Sequence, residues 1–414
     1  MVKIKAQLAQ TFRMSPDPIS NRSLWAISWV SFFGGMASLM VFSILSLFMR
    51  DELHLTYREL GHIEGFAIFM AFMAKVFSGI LSDYMKSRKS LILLGTFASI
   101  LIKPMFALAG GMFWIFFART VDRFSKGIRA APTDALIADL SPSKGEGTSF
   151  GIRYTLYALG FMCGGSLSSL LMHLSSNNYR LVFWLALIPA TLSFIILYIY
   201  VAEPRVDIMK NTSRNREWKW RDIRHLPNTF WHLLVVTFIL MNARFSESFL
   251  SLRAKDLGFA IAAIPLTMIL YNLVEAFAAM PTGKLADKFN RKKILLAGIL
   301  VLALTNFIMI SVPFKESIWI GMLLAGLHMG MTQGLLGTLV AESTLPHLRG
   351  TAFALYYFVV GIAVLTGNHV AGYLSDFMNG AIGAFWGGLF FTVLASLYLI
   401  AILRKNISIG NQAF

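Results

Sequence analysis

Long apolar stretches alternate with short polar segments along almost the whole chain. A helix needs about 20 mostly apolar residues to cross the roughly 30 Å hydrocarbon core of a bilayer. Twelve stretches meet this requirement, and most contain small residues that allow close helix packing in lipid. The pattern predicts an all-α membrane protein with twelve transmembrane helices, near 23–49, 58–82, 90–109, 112–138, 149–174, 180–201, 230–253, 260–286, 294–313, 317–342, 350–375 and 382–403.

The longest polar segment lies midway along the chain. It contains Trp218-Lys219-Trp220-Arg221, a mixture of rings and cations that is typical of chain lying at the headgroup level. We therefore predict a six-helix bundle over residues 1–202, a cytoplasmic linker over 203–229 and a second six-helix bundle over 230–414.

Two short patterns recur about 204 residues apart. Gly79-Ile-Leu-Ser-Asp83 follows the second span, and Gly283-Lys-Leu-Ala-Asp287 follows the eighth. Ala138-Asp139 ends the fourth span, and Ala341-Glu342 ends the tenth. Both pairs occupy equivalent helix positions, which indicates an internal duplication. Many transporters are built from such repeats and bind their solute between the halves, near the midplane.

Basic residues are distributed unevenly between the two sides of the predicted bundle. With a cytoplasmic N-terminus, 23 of the 37 Lys and Arg residues fall on the cytoplasmic side, six on the other side and eight within spans. This asymmetry predicts a multi-pass protein with both termini in the cytoplasm, in the inner membrane of the cell. The same distribution accounts for the net charge of +16 without nucleic acid as a partner.

Composition agrees with a lipid-facing surface. Hydrophobic residues make up 56% of the 414 and charged residues 14%, against about 25% in soluble domains. The single cysteine, Cys163, excludes a disulfide framework and a cysteine-based metal site. No HExxH pair, nucleophile elbow or phosphate loop is present, so we expect no enzyme activity, no cofactor and no metal.

The fourth span carries five charges within eleven residues. Each would cost about 2.5–3.5 kcal/mol in the middle of a lipid-facing helix. We therefore expect this helix to border a water-accessible passage or to pair its charges inside the bundle. The five residues are Arg119, Asp122, Arg123, Lys126 and Arg129.

Other spans also carry charges and tyrosines. Basic residues outnumber acidic ones within the spans, eight to five, which favours an anionic solute bound by arginine's planar fork. The alternative is that the charges form structural pairs, such as Arg119–Asp122, Arg123–Asp134 and Arg244–Glu247. The candidate solute-binding residues are Arg119, Arg123, Lys126, Arg153, Tyr154, Arg244, Tyr356 and Tyr357, and the candidate proton-coupling residues are Asp122, Arg123, Glu64, Glu247 and Glu275.

The duplicated loop resembles the signature of the major facilitator superfamily, Gly-x-Leu-Ala-Asp-basic-x-Gly-basic-basic. The second copy matches well, whereas the first has Tyr84 at the basic position and Lys86 at the glycine. The resemblance covers nearly the whole chain through its two six-helix halves, and it implies a monomeric secondary transporter that works by alternating access. It also implies that these loops latch the outward-facing state through Gly79, Asp83, Arg88, Gly283, Asp287 and Arg291.

Two further patterns bear on the kind of transporter. Arg123-x-x-Lys126-Gly127 resembles the superfamily's helix-4 motif, whose arginine is linked to proton transfer. Drug antiporters of the superfamily carry a glycine-proline signature on helix 5, but here Gly160–Gly165 contains no proline. We therefore expect proton-coupled transport of a carboxylate or a siderophore-like chelate, with multidrug efflux by proton antiport as the alternative.

Overall fold

The computed structural model describes residues 22–85, 87–141, 146–202, 226–345 and 348–404. Within these ranges the chain is helical almost throughout, as the hydropathy pattern predicts. The predicted linker over 203–229 lies largely outside the described residues. The α-helices are α1 (Arg22–Asp51), α2 (Tyr57–Met85), α3 (Arg88–Ala107), α4 (Met112–Leu140), α5 (Glu146–Leu174), α6 (Tyr179–Leu185), α7 (Leu187–Tyr200), α8 (Asn228–Ala243), α9 (Ser248–Asp256), α10 (Ile264–Lys288), α11 (Arg291–Ser311), α12 (Ser317–Glu342), α13 (Arg349–Phe377) and α14 (Ile382–Arg404).

Twelve spans result, because α6 with α7 and α8 with α9 each form one crossing. Among the described residues, eleven of these spans are long and apolar enough to cross a bilayer by their composition. The remaining span is α4, which carries more charge than the others and packs against α2 and α3. Its charges are therefore held inside the bundle rather than on a lipid-facing surface.

Two of the predicted continuous spans are interrupted. The sixth breaks at Ala186, three residues before Pro189, which has no N–H to bond to the Leu185 carbonyl. The seventh breaks at mid-depth, where residues 244–247 separate α8 from α9. Irregular backbone at this depth is tolerated where it lines a cavity or is buried in protein.

Close helix contacts within each half depend on small residues. A Cβ atom on Gly160 of α5 would collide with the carbonyl oxygen of Phe32 on α1, and one on Gly164 would collide with that of Met36. A larger side chain at either position would force α1 and α5 apart. Small residues at such crossings allow helix association in a bilayer, where no hydrophobic force favours it.

Since the twelve spans alternate in direction, α1 begins and α14 ends on the same side, which we call the terminal face. The other side is the opposite face. The Asp376 carboxylate of α13 accepts hydrogen bonds from the backbone N–H groups of Tyr57 and Arg58 at the start of α2, both at 2.9 Å. A carboxylate at a helix N-terminus is favoured by the unpaired N–H groups and the helix dipole. This contact joins the two halves at the opposite face.

Further contacts between the halves lie at the same level. Lys255 forms an ion pair with Asp51, and Tyr57 donates to Asp256 at 3.2 Å. The rings of His62 and His369 are also adjacent, with their Nδ1 atoms 2.8 Å apart. Among the described residues, Lys255–Asp51 at this face is the one ion pair that joins the halves.

The terminal-face ends of α5 and α10 have a different character. Tyr154 and Tyr157 of α5 are 56% and 42% exposed, and Phe277 and Met280 of α10 are 76% and 67% exposed. These same helices touch near the opposite face, where Gly165 packs against Ile269. The described residues therefore form a molecule that is closed at the opposite face and separated along α5 and α10 towards the terminal face.

Candidate functional site

The break in the seventh span positions a buried arginine. Arg244, at the end of α8, donates from Nε to His328 Nε2 at 2.8 Å and from Nη2 to the hydroxyl of Thr332. Both partners lie on α12, one helical turn apart. The fork of the guanidinium is thereby held in one orientation by two neighbouring acceptors.

The hydrogen bonds of His328 determine its tautomer. Arginine has no acceptor atom, so the Nε2 atom that receives the Arg244 hydrogen bond carries no proton. The Nδ1 atom of the same ring lies 2.7 Å from the carbonyl oxygen of Gly298 and therefore donates to it. His328 is thus a neutral, fully satisfied interior histidine, and it positions Arg244.

Arg244 lies in the wall of a cavity of about 420 Å³. The cavity is built mainly from the second half, and Ile68, Phe72 and Lys75 of α2 complete it. Its volume falls within the usual range for small-molecule sites, about 300–1,000 Å³. The polar and charged side chains in its wall are Lys75, Arg244, Ser246, Glu247, Tyr271, Thr305, Asn306, His328, Gln333, Tyr356 and Tyr357.

A second cation enters the cavity from the first half. The ammonium nitrogen of Lys75 lies 4.8 Å from the centre of the Tyr357 ring, which also stacks with Phe72 at 6.1 Å. Tyr356 packs against Tyr357 with ring centres 5.3 Å apart. The cavity therefore combines two cations with a wall of aromatic rings, and Glu247 supplies its one carboxylate among the lining residues that the structure describes.

The charges of α4 are arranged differently. Arg119 binds Glu64 of α2 through two parallel hydrogen bonds, at 2.9 and 2.8 Å, and both side chains are at most 1% exposed. This is the bidentate geometry that makes an arginine–carboxylate pair strong. Of the two alternatives for this helix, pairing inside the bundle therefore applies to Arg119, because its guanidinium is sealed against a carboxylate on the neighbouring helix.

Asp122 is surrounded by cations. Its carboxylate lies 2.7 Å from Lys126, 3.5 Å from Lys103 and 3.7 Å from Arg119. Lys126 is 24% exposed, whereas Lys103 and Asp122 are each 2% exposed. The i to i+3 and i to i+4 spacing on α4 brings these charges together, as the sequence indicated.

Arg123, like Arg129, has no carboxylate within ion-pair distance among the described residues. Its guanidinium carbon lies 4.9 Å from the centre of the Phe42 ring, and Arg119 contacts the same ring at 4.7 Å. The Nε atom of Arg123 is buried without a hydrogen-bond partner in the described part of the chain. The predicted Arg123–Asp134 pair is not formed, since Asp134 pairs with Arg153.

The α4 cluster consists of Arg119, Asp122, Arg123, Lys126 and Arg129. A void of about 10 Å³ lies against Lys103 and Arg129, which is about the volume that one water molecule requires. Arg119 and Asp122 are buried, whereas Arg123, Lys126 and Arg129 are partly exposed. Arg119, Arg123 and Lys126 do not line the 420 Å³ cavity, which is built mainly from the second half.

The two regions meet at the break in the seventh span. The Ser246 hydroxyl donates to Glu64 at 3.1 Å, and the Ser246 backbone N–H donates to the side chain of Asn368 at 2.8 Å. Glu247, the next residue, lies close enough to both Arg119 and Arg123 to interact with them electrostatically. Residues 244–247 thus contact the cavity and the α4 cluster at the same time.

The remaining predicted site residues lie near the edges of this arrangement. Arg153 pairs with Asp134, donates to Ser31 at 3.3 Å and stacks over the ring of Tyr154 at 5.2 Å. Glu275 is partly buried on α10. Neither Arg153 nor Tyr154 nor Glu275 lines the 420 Å³ cavity.

The repeated loops form matching ion pairs in the two halves. Arg88 at the start of α3 pairs with Asp139 at the end of α4, and Arg291 at the start of α11 pairs with Glu342 at the end of α12. Asp287 lies 3.4 Å from Arg291, and Gly283 is exposed on α10. The surroundings of Gly79 and of the Asp83 side chain lie outside the described residues. Each of these loop ion pairs stays within its own half.

Seven of the eleven polar and charged residues in the cavity wall were absent from the sequence-based set of site residues. They are Lys75, Ser246, Tyr271, Thr305, Asn306, His328 and Gln333. A polar side chain within an otherwise apolar span is the signal that could have identified them. That signal alone does not tell a cavity wall from a contact between helices.

The chain is similar to known transporters over most of its length. The profile of the Major Facilitator Superfamily matches residues 27–252 and 233–412. An uncharacterised transporter of this type from Methanocaldococcus jannaschii is 26% identical over 381 residues, covering 89% of this chain and 94% of the relative. A gentisate transporter from Corynebacterium glutamicum is 25% identical over 416 residues, covering 95% and 91%. The quinolone resistance protein NorA of Staphylococcus aureus is 23% identical over 185 residues, covering 45% and 46%.

Solved structures show the same fold. A crystal structure of the nucleoside transporter NupG superimposes with a TM-score of 0.77 and 13% sequence identity, covering 92% of this chain and 99% of that one. At this level of identity the similarity concerns the arrangement of the helices and not the solute.

Proposed function

We propose that this chain, which belongs to the major facilitator superfamily, carries a small anionic organic solute across the membrane by alternating access. The transport of this solute is coupled to the movement of protons. The observation that carries the proposal is the position of Arg244, whose guanidinium is held at mid-depth in the wall of a 420 Å³ cavity. An arginine in this setting binds a carboxylate through two parallel hydrogen bonds.

The charge and size of the cavity both support an anion of modest size. Its wall contains the cations Lys75 and Arg244 and the carboxylate Glu247. Low-dielectric walls strengthen the attraction of a net positive lining for an anion. A volume of 420 Å³ suits a small carboxylate better than a siderophore-sized chelate. The gentisate transporter among the relatives supports the same choice.

We further propose that the terminal face is cytoplasmic and that the protein resides in the inner membrane as a monomer. The excess of Lys and Arg on the terminal side supports this orientation. The described state, closed at the opposite face, is then an inward-facing one. In it the cavity would exchange solute with the cytoplasm.

Proton coupling is proposed at the junction between the α4 cluster and the cavity. Glu64 accepts hydrogen bonds from both Arg119 and Ser246, so protonation of its carboxylate would remove the acceptor that these groups share. Ser246 belongs to the same four-residue break as Arg244. Movement of residues 244–247 would then couple the protonation of Glu64 to the position of Arg244 in the solute site.

Multidrug efflux remains the second candidate because NorA is among the relatives. The aromatic wall of the cavity would also accept an apolar cation through its ring faces. Two features oppose it: the cavity carries more cations than carboxylates, and Gly160–Gly165 lacks the proline of the drug-antiporter signature. The two candidates predict opposite preferences for the charge of the solute.

A ligand panel distinguishes them. Purified protein is heated with benzoate, citrate or phosphate, and separately with ethidium or tetraphenylphosphonium, and its melting temperature is measured. We expect a carboxylate to stabilise the protein and the cations to have little effect. Arg244→Lys retains the charge but loses the planar fork, so the carboxylate affinity should fall about tenfold or more.

Arg404→Ala provides the matched control, since Arg404 is exposed at the end of α14 and far from the cavity. It should retain the stabilisation by the carboxylate. If only the cations stabilise the wild-type protein, the anion proposal is wrong and efflux is favoured.

A further inference from the structure

We infer that the Asn306 amide donates a hydrogen bond to an oxygen at the end of the solute that lies away from Arg244. The carrier therefore prefers aromatic acids with a ring hydroxyl or carbonyl group over the unsubstituted acid. The inference rests on the proposed function, because it takes the anionic end of the solute to bind Arg244. It adds a chemical class of substrate and a residue that selects it.

The hydrogen-bonding state of Asn306 is the first observation. Asn306 lies on α11 in the cavity wall and is 1% exposed. Its Nδ2 atom has no hydrogen-bond partner within the part of the chain that the structure describes. A buried amide without a partner is costly, and most such groups in proteins are paired. A solute oxygen in the cavity would supply the missing acceptor.

The amide is held in place by the chain around it. A Cβ atom on Gly388 of α14 would lie 2.8 Å from Asn306 Oδ1 and 3.0 Å from Nδ2, so the absence of a side chain there makes room for the amide. The same Cβ would lie 2.8 Å from the ring of Phe245. The amide therefore rests between the backbone of α14 and an aromatic ring, and has little freedom to turn towards another partner.

The adjoining wall is aromatic. Phe245 and Phe385 meet edge to face with ring centres 5.3 Å apart, and Tyr271 lines the same cavity. Rings of this kind favour a flat aromatic body through offset or edge-to-face contact. An aliphatic acid of equal length would gain less from this wall.

The spacing of the two polar groups matches one substituted ring. His328 Nδ1 lies 2.7 Å from the carbonyl oxygen of Gly298 on α11, so these two residues lie at about the same level. Asn306 follows eight residues later on α11, which is about 12 Å at a rise of ~1.5 Å per residue. Arg244, which is bonded to His328, is thus on the order of 12 Å from Asn306 along the membrane normal. A hydroxybenzoate with a hydrogen bond at each end spans a distance of this order.

The test compares two ligands that differ in one hydroxyl group. The affinities of benzoate and 4-hydroxybenzoate are measured by titration calorimetry on the purified full chain in lipid nanodiscs, and 3-hydroxybenzoate is included to allow for a different ring position. We expect at least one hydroxybenzoate to bind about tenfold tighter than benzoate, because a site built to hydrogen-bond a hydroxyl discriminates against the ligand that lacks it. In Asn306→Leu this ratio should fall to within about twofold.

Gly388→Ala provides a second variant that affects the Asn306 amide without replacing it, since the added methyl group displaces the amide. It should lower the ratio as well, and it decides the matter if Asn306→Leu does not fold. Ser396→Ala is the matched control, because the Ser396 hydroxyl on the same α14 is buried and already bonded to Thr392 O at 2.8 Å. It should retain the wild-type ratio.

The outcomes separate this inference from the proposed function. If benzoate binds but the wild-type protein shows no preference for either hydroxybenzoate, or if Asn306→Leu keeps the preference, the role of Asn306 is rejected and the anion carrier stands. If none of the three acids binds, and cations do, both are rejected.

Discussion

The two halves share an architecture but use their charged residues in opposite ways. In the first half, Arg119 and Glu64 form a bidentate pair that is nearly inaccessible to solvent. In the second half, Arg244 is held by two neutral partners, His328 and Thr332, and faces a cavity of about 420 Å³.

This difference shows what an intramembrane cation needs in order to bind a solute. A guanidinium that already binds a carboxylate has its strongest bonds occupied, whereas one oriented by a neutral imidazole and a hydroxyl retains its charge for a ligand. The density of charge along α4 is therefore a weaker guide to the solute site than the single Arg244. The α4 cluster is better suited to coupling, because protonation of Glu64 would rearrange it.

The largest expected effect comes from Arg123→Ala, which tests whether the α4 cluster acts in coupling. Arg123 has no carboxylate partner among the described residues, so its loss should leave the fold intact. We expect proton-coupled transport in proteoliposomes to fall by roughly a hundredfold, the lower end of the range for lost proton-transfer groups. Solute affinity in a binding assay should change little, since Arg123 does not line the cavity.

Arg291→Ala serves as the comparison. It removes an arginine at the start of α11 that pairs with Glu342. It should slow transport without the selective loss of proton dependence. If Arg123→Ala transports at a near-normal rate, or if it loses solute binding instead, the division of roles between the halves is wrong.

The next effect concerns stability and tests whether the Arg119–Glu64 pair is structural. Arg119→Met leaves Glu64 as an unpaired buried carboxylate, which should destabilise the protein by about 3–5 kcal/mol. Adding Glu64→Gln removes the stranded charge, so the double variant should regain most of the stability. The measurement is the midpoint of unfolding in detergent, taken for both single variants and the double one.

A double-mutant cycle of this kind isolates the interaction within the pair. Ser396→Ala gives the background for loss of a buried polar group elsewhere. If the destabilisation of the double variant equals the sum for the two single variants, the pair contributes no specific stability, and the contrast between the halves loses its basis.

The smallest effect is expected at Lys75, and it tests whether the cavity attracts anions through both of its cations. Lys75→Gln removes one charged hydrogen-bond donor from the cavity wall and should raise KM for a carboxylate about tenfold. The maximal rate should change little. Lys315→Gln, an exposed lysine at the opposite face, is the matched control. A KM equal to that of the wild type would remove Lys75 from the site and leave Arg244 alone.

The spans and the duplication could be predicted from the sequence because both depend on local patterns. Twelve apolar stretches correspond to twelve crossings, and the positions repeated in the two halves carry equivalent ion pairs, Arg88–Asp139 and Arg291–Glu342. The breaks within the sixth and seventh spans were missed. At residues 244–247 the chain leaves the helix at contacts such as Ser246 with Glu64 and Asn368, which are distant in the sequence.

The sequence by itself determined that this chain crosses the membrane twelve times in two related halves, since hydropathy and repetition require no knowledge of neighbours. It also showed that α4 could not face lipid. Only the tertiary structure decided which charges are paired and which face open space, because Glu64 lies 55 residues from Arg119 and His328 lies 84 residues from Arg244. Pairing between helices depends on how they pack, and a cavity is the space that this packing leaves unfilled.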